Sequence, residues 1–327
     1  MKKASVLIAA FSLLVFGMAS CDRNDDATSN HDTTTTPANQ GDSSTPTGPT
    51  NLDTTSNSLV GGFDQNGASN AVFTVAKDRT VHFSQGNLQY RASDGTWRFA
   101  AHQYEYIGAT NSNISAGYSR WIDLFGWGTS GWVSGAVCYQ PWSSSTRASD
   151  YNPSGGYNNS LIGENSNADW GVYNPISNGG NCAGMWRTLT YDEWHFLFYT
   201  RANATSLYGL ATIDGLYTGL VILPDSWNKP SGLSFISGIN GCDFTDFSQN
   251  QYTIEQWEAM ESAGAIFLPA AGYRTGTGVS NVGDDCLYWS SSGSTDGLAY
   301  CIHFDGFESN IGLSGRYCGY AVRLVMD

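Results

Sequence analysis

Positive charge is scarce in this chain. Only 15 Lys and Arg stand against 29 Asp and Glu, a formal net charge of −14, and charged residues of both signs make up 13% of the total. A nucleic-acid partner needs clustered Lys and Arg to displace counterions, so that class is excluded. Five scattered His residues give no metal-ligand spacing. The apolar run from about Ala4 to Gly17 is too short to span a bilayer. What the chain does hold is apolar mass: 41% of its 327 residues, with 11 Trp, 18 Tyr and 15 Phe. A sizeable core can be buried, and its polar surface is built from Ser, Thr, Asn and 38 Gly in place of charge.

The N-terminus reads as an address. Lys2 and Lys3 precede the apolar run, which ends in Met18-Ala19-Ser20-Cys21. This is the charged n-region and apolar h-region of a secretory signal peptide. Small residues before a cysteine resemble the bacterial lipobox, which implies lipidation at Cys21 and a signal peptide over 1–21. Lipidation ties a chain to a membrane without a spanning helix. From 22 to 58 the composition turns to Asp, Ser, Thr and Pro, as in Thr33-Thr34-Thr35-Thr36-Pro37. Such a segment cannot repay the entropy of ordering and reads as a disordered stalk. Acidic residues directly after the cysteine resemble the surface-export signal of Bacteroidetes lipoproteins, which implies a place on the outer face of the outer membrane.

No second linker interrupts residues 59–327, which are expected to fold as one unit. Alternation at Ala71–Val75 and Thr80–Ser84 predicts strands, and Ser93-Asp94-Gly95 between two short runs predicts a hairpin. The stretch from about Ile107 to Gly184 lacks periodicity and reads as long loops pinned by buried aromatics. Thr190 and Glu193 form a capping box, and a second helix starts at Thr253 with Gln256 three residues on. On the first helix Trp194, Leu197 and Phe198 make the apolar stripe, and His195 reads as a packed core residue before a base. Further strands are expected at 265–269, 287–290, 299–304 and 320–325. Two short helices with several antiparallel strands make the fold class α+β.

Three segments resemble proteins similar to formylglycine-generating enzyme. They are Met185-Trp186-Arg187-Thr188-Leu189-Thr190-Tyr191-Asp192-Glu193-Trp194, Phe267-Leu268-Pro269-Ala270-Ala271-Gly272-Tyr273-Arg274, and Tyr288-Trp289-Ser290-Ser291-Ser292 with the terminal Gly319–Val325. Their order and spacing match the Bacteroidetes surface branch, which includes the major paralogous domain first described in Fibrobacter. The resemblance covers about 180–327 and implies a C-type lectin-like fold. The oxidases of that family use two C-terminal cysteines. Cys301 and Cys318 lie in the corresponding stretch, but their flanks do not match, so no catalytic residue is assigned and no enzyme is expected. Calcium-dependent sugar motifs are missing too. No cofactor is expected, with Gly283-Asp284-Asp285 readable either as a calcium turn or as a solvated acidic turn. Six Cys after Cys21 leave both disulfides and buried free thiols open.

Overlaying the branch pattern places Ala299, Tyr300, Ile302, Phe304, Ile311, Arg316, Gly319, Val322 and Arg323 on its fixed positions. On an alternating strand the fixed set faces the core, and intervening residues such as Cys301 face solvent. Ligand-binding candidates are therefore Ser294, Asp296, His303, Asp305, Phe307, Ser309, Asn310, Leu313, Tyr317 and Tyr320, with Tyr288 as an added aromatic and Trp289 assigned to the core. The expected function is a cell-surface lipoprotein that binds a glycan or a protein of another surface. The alternatives are a retroelement-diversified variable receptor, whose variable regions this mix resembles, a structural subunit of an adhesive fibre, and an oxidase.

Overall fold

The computed structural model describes residues 62–133, 138–239, 247–294, 297–304 and 309–327, with backbone alone at 309 and 310. The expected signal peptide, Cys21, the stalk and the boundary at 58/59 lie outside the described residues. Among the described residues, fifteen strands and three α-helices run in chain order. The strands are β1 (Phe73–Ala76), β2 (Arg79–Phe83), β3 (Leu88–Arg91), β4 (Thr96–Phe99), β5 (Arg187–Thr188), β6 (Tyr208–Ile213), β7 (Tyr217–Ile222) and β8 (Gln251–Tyr252). They continue with β9 (Ile266–Pro269), β10 (Tyr273–Thr275), β11 (Gly278–Ser280), β12 (Cys286–Gly293), β13 (Leu298–Phe304), β14 (Ser309–Gly315) and β15 (Leu324–Met326). The helices are α1 (Trp170–Tyr173), α2 (Tyr191–His195) and α3 (Ile254–Ser262). The fold is α+β, with every strand pair antiparallel except β6 with β8.

Local chemistry explains the elements. Thr190 accepts from the Glu193 amide (3.2 Å), and the Glu193 carboxylate accepts from the Thr190 amide (2.8 Å), so both bonds of the capping box form. Thr253 and Gln256 repeat the device on α3. Asp94 ion-pairs with Arg91 across the β3–β4 turn. The β6–β7 hairpin was not predicted, although its turn is Asp214-Gly215, with φ of 53° and 67°. That pair of left-handed residues is the turn matching strand twist. The expected last strand is shortened to Leu324–Met326, because Gly319, Tyr320 and Ala321 each bridge singly to Arg274, Phe125 and Tyr288.

Three sheets carry the core, in the orders β1-β2-β15-β5, β8-β6-β7-β9 and β12-β13-β14. In the last, β12 and β13 bury residues on both faces. Cys286, Tyr288, Ile302 and Phe304 pack into one cluster with Phe73, Phe83, Trp194 and Phe198. Leu287, Trp289, Ala299 and Cys301 pack into another with Trp97, Trp127, Trp170 and Trp186. This corrects the reading of Cys301 as solvent-facing: alternation is present, but the second face meets the Trp-rich loop layer in place of water. Tyr288 is likewise fully buried, its hydroxyl donating to the Pro269 carbonyl (3.0 Å). The loops between 107 and 184 are indeed held by aromatics, including Trp127, Tyr151 and Trp170 at 0–2% exposure.

Among the described residues, three buried arginines make no ion pair with a carboxylate. Arg316 donates to the carbonyls of Leu298, Tyr157 and Asn159 and to Asn152, with its guanidinium 4.2 Å from the Trp127 ring centre. Arg323 donates to the carbonyls of Ser84 and Phe267, and Arg274 to those of Gly276 and Leu124. Each pins a distant loop by satisfying backbone oxygens that burial strips of water.

Candidate functional site

The predicted ligand residues scatter over the C-terminal hairpin. In the β13–β14 register His303 opposes Asn310, Phe304 opposes Ser309 and Tyr300 opposes Leu313. Directly opposed residues share a face and neighbours alternate, so positions 303 and 310 belong to one face and 300, 309 and 313 to the other. Leu313 is 44% exposed, and His303 and Tyr317 are half-buried. Asp296, Asp305 and Phe307 lie outside the described residues.

Two candidates point inward. Tyr320 is 7% exposed, its ring lies 4.4 Å from that of Trp289, and its hydroxyl pairs with Ser314 (2.7 Å). Burial holds its phenol well above the ordinary range. Ser294 is 6% exposed, and its amide donates to the Leu298 carbonyl, closing the β12–β13 turn. Both are therefore largely shut off from solvent, Tyr320 by its packing on Trp289.

A groove of about 560 Å3 opens beside the hairpin, on the face that carries position 300. Its walls are the β1–β2 turn with Lys77 and Arg79, the loop at Ser160 and Ile162, the start of α2, the end of β12 and Tyr300. Several short bonds fix those walls. The Tyr191 amide donates to the Ser292 hydroxyl (3.0 Å) and the Gly293 amide to Ser160 (3.0 Å). Position 293 must be glycine, since a Cβ would run into the Asn159 carbonyl. At the base Glu193 is buried and accepts from Arg79 (2.8 Å) and, through both oxygens, from Arg187 (2.8 and 2.9 Å). Arg187 also pairs with Asp327 at 2.6 Å. Burial opposes the Arg187 charge, and the Asp327 and Glu193 carboxylates override it, holding the guanidinium above its usual range.

Tyr191 and Tyr300 line the groove, and a row of ring contacts continues past its lining along α2. The Tyr191 and Tyr300 rings lie 4.4 Å apart, His195 follows 6.0 Å from Tyr191, and Tyr199 lies 5.0 Å from His195. His195 is exposed, which corrects its assignment to the core: Trp194, Leu197 and Phe198 take the buried side, and position 195 falls opposite. Tyr300, placed on the core set by the overlay, is half-exposed for a similar reason, because α2 leaves the groove open beside it. After His195 the helix widens, so that Arg201 donates to the Phe196 carbonyl five residues back (2.9 Å). Wide turns of this kind concentrate at functional sites. The spacing of Tyr191, His195 and Tyr199 at i, i+4 and i+8 was the sequence signal for this ridge, masked by the capping explanation of the same segment.

Among the described residues no three His, Cys, Asp or Glu side chains converge as a metal cluster. Cys138, Cys182, Cys286, Cys301 and Cys318 are free thiols, and burial pushes Cys301 up to about 12, away from the reactive thiolate. Asp285 of the acidic turn is buried and accepts from Asn281 (2.9 Å). No described helix is long and apolar enough to cross a membrane. Comparison with protein-family models, with curated proteins and with solved structures gives no match for this chain.

Proposed function

We propose that the chain is a lipoprotein, anchored through Cys21 in the outer membrane and exposed at the cell surface, whose folded region is C-type lectin-like. It binds a glycan or a protein of another surface without catalysis. The observation that carries this reading is the half-exposed Tyr300 of the C-terminal hairpin, opposed by the exposed Leu313, which lines a groove together with Tyr191. Large aromatics left exposed beside a concavity are the usual anchors of binding surfaces. Three sequence segments and the antiparallel architecture support the lectin-like assignment. Probing glycan and surface-protein arrays with the full chain tests the binding role. Signal lost in Leu313→Asp or Tyr300→Ala supports it, and no bound ligand on either array overturns it. For the anchor, Cys21→Ser is expected to shift the chain from the membrane fraction to the soluble fraction.

A further inference from the structure

The polar groups around the groove point to one kind of occupant. The Tyr191 and Tyr300 hydroxyls, the Lys77 ammonium and the Asp192 carboxylate line it and make no hydrogen bond or ion pair among the described residues. Ser160 and Ser292 use their oxygens as acceptors for Gly293 and Tyr191, which leaves each hydroxyl hydrogen to donate. The larger charges cancel internally, since Glu193 is held by Arg79 and Arg187, and Arg187 by Asp327. Among the described residues, what remains around the Tyr191–Tyr300 pair is one free cation, one free anion and five hydroxyls, the fifth being Thr190, which accepts from the Glu193 amide. An apolar peptide would leave those groups unmet on burial. An acidic ligand would meet Asp192, and a cationic one would meet Lys77.

We propose that the groove formed by α2, β12, β13 and the β1–β2 turn is a binding site for a neutral pyranose of a glycan, whose ring packs against the outer side of the contacting Tyr191–Tyr300 pair and whose hydroxyls bond Asp192 and Lys77. A sugar ring presents C–H groups on its faces and hydroxyls at its edge. The site presents aromatic faces at its centre and mixed donors and acceptors around them. The volume of about 560 Å3 lies in the range of small-molecule sites. No metal takes part. This assignment rests on the binding role proposed above and narrows it to a ligand class, and it moves the centre of the site from the β13–β14 tip to α2.

The test is an array of neutral, sialylated and sulfated oligosaccharides, with a parallel protein array, probed with the full chain. Neutral glycans are expected to bind, with affinity changing less than about twofold between 50 and 500 mM NaCl, since no net charge is exchanged. Tyr191→Ala and Tyr300→Ala should each weaken binding on the order of tenfold. Tyr300→Phe, which keeps the ring, should stay close to wild type, and this separates ring stacking from misfolding. Asp192→Asn should weaken binding with no change in salt response. Binding confined to acidic glycans and abolished by salt overturns the proposal, as does neutral-glycan binding indifferent to both alanine variants. A protein ligand lost in Leu313→Asp, with no glycan bound, overturns the sugar site and leaves the binding role standing. Silence on both arrays overturns both.

Discussion

Aromatic side chains line two regions of this fold under opposite conditions. In the loop layer Trp127 and Trp186 are fully buried, and each indole N–H is spent on a backbone carbonyl: Ser290 for Trp127 (2.8 Å) and Gly179 for Trp186 (2.7 Å). Trp289 does the same with Phe125 (2.7 Å) from the neighbouring sheet. On α2 and β13, by contrast, Tyr199 is exposed, Tyr191 and Tyr300 are half-exposed, and the Tyr191 and Tyr300 hydroxyls make no hydrogen bond among the described residues. Burying an aromatic takes about 150–250 Å2 out of water. The loop layer collects that free energy on folding, and the proposed binding role has the groove collect it only when a ligand arrives. The difference separates aromatics that build the fold from aromatics available to bind.

Substitutions sharpen this contrast, in falling order of effect. Trp127→Ala removes a fully buried indole, its bond to Ser290 and the ring under Arg316, and is expected to cost about 3–5 kcal/mol by urea unfolding. Glu193→Ala removes the carboxylate half of the capping box and leaves Arg187 with Asp327 alone; the loss should be on the order of 2 kcal/mol, with the groove distorted as well. Arg79 contributes little of this, since its side chain is 52% exposed.

A third effect depends on pH. Burial raises the carboxyls of Asp123 and Asp169 to about 6, against the bonds from Asn111 and from the Thr188 amide that favour the charged form. Between the ordinary carboxylate range near 4 and pH 6, the folded chain holds more protons than the unfolded one. Stability from these two groups is therefore full at low pH and falls as pH rises through about 6. Each shift corresponds to on the order of 2–3 kcal/mol. Asp169→Asn should flatten the stability difference between pH 4 and pH 7, measured as urea midpoints against wild type. An unchanged slope would contradict this account of Asp169.

Much of the architecture was legible in the residues. Both capping boxes, the β3–β4 hairpin and the β12 and β13 strands follow from local patterns that tertiary packing does not override. The two-sided burial of β13 was not legible, because the layer covering Cys301 comes from loops without periodicity. For the same reason Tyr320 was placed at the surface, although Trp289 and Phe125 hold it inside. The groove was missed since its walls come from residues 75–79, 160–162, 190–196 and 292–300, far apart in the chain. Leu313 was identified as exposed, and its neighbour across the strands, Tyr300, proved to be the link to that groove.

The smallest stability effect belongs to the groove and decides the account. In the double variant Tyr191→Ala with Tyr300→Ala, the urea midpoint and the glycan-array signal can be read on one preparation. The predicted result is a stability loss of about 1 kcal/mol or less with binding abolished, because half-exposed rings contribute little to folding. A loss as large as that of Trp127→Ala, with ligand binding unchanged in the fraction that folds, would contradict it and return these tyrosines to the core.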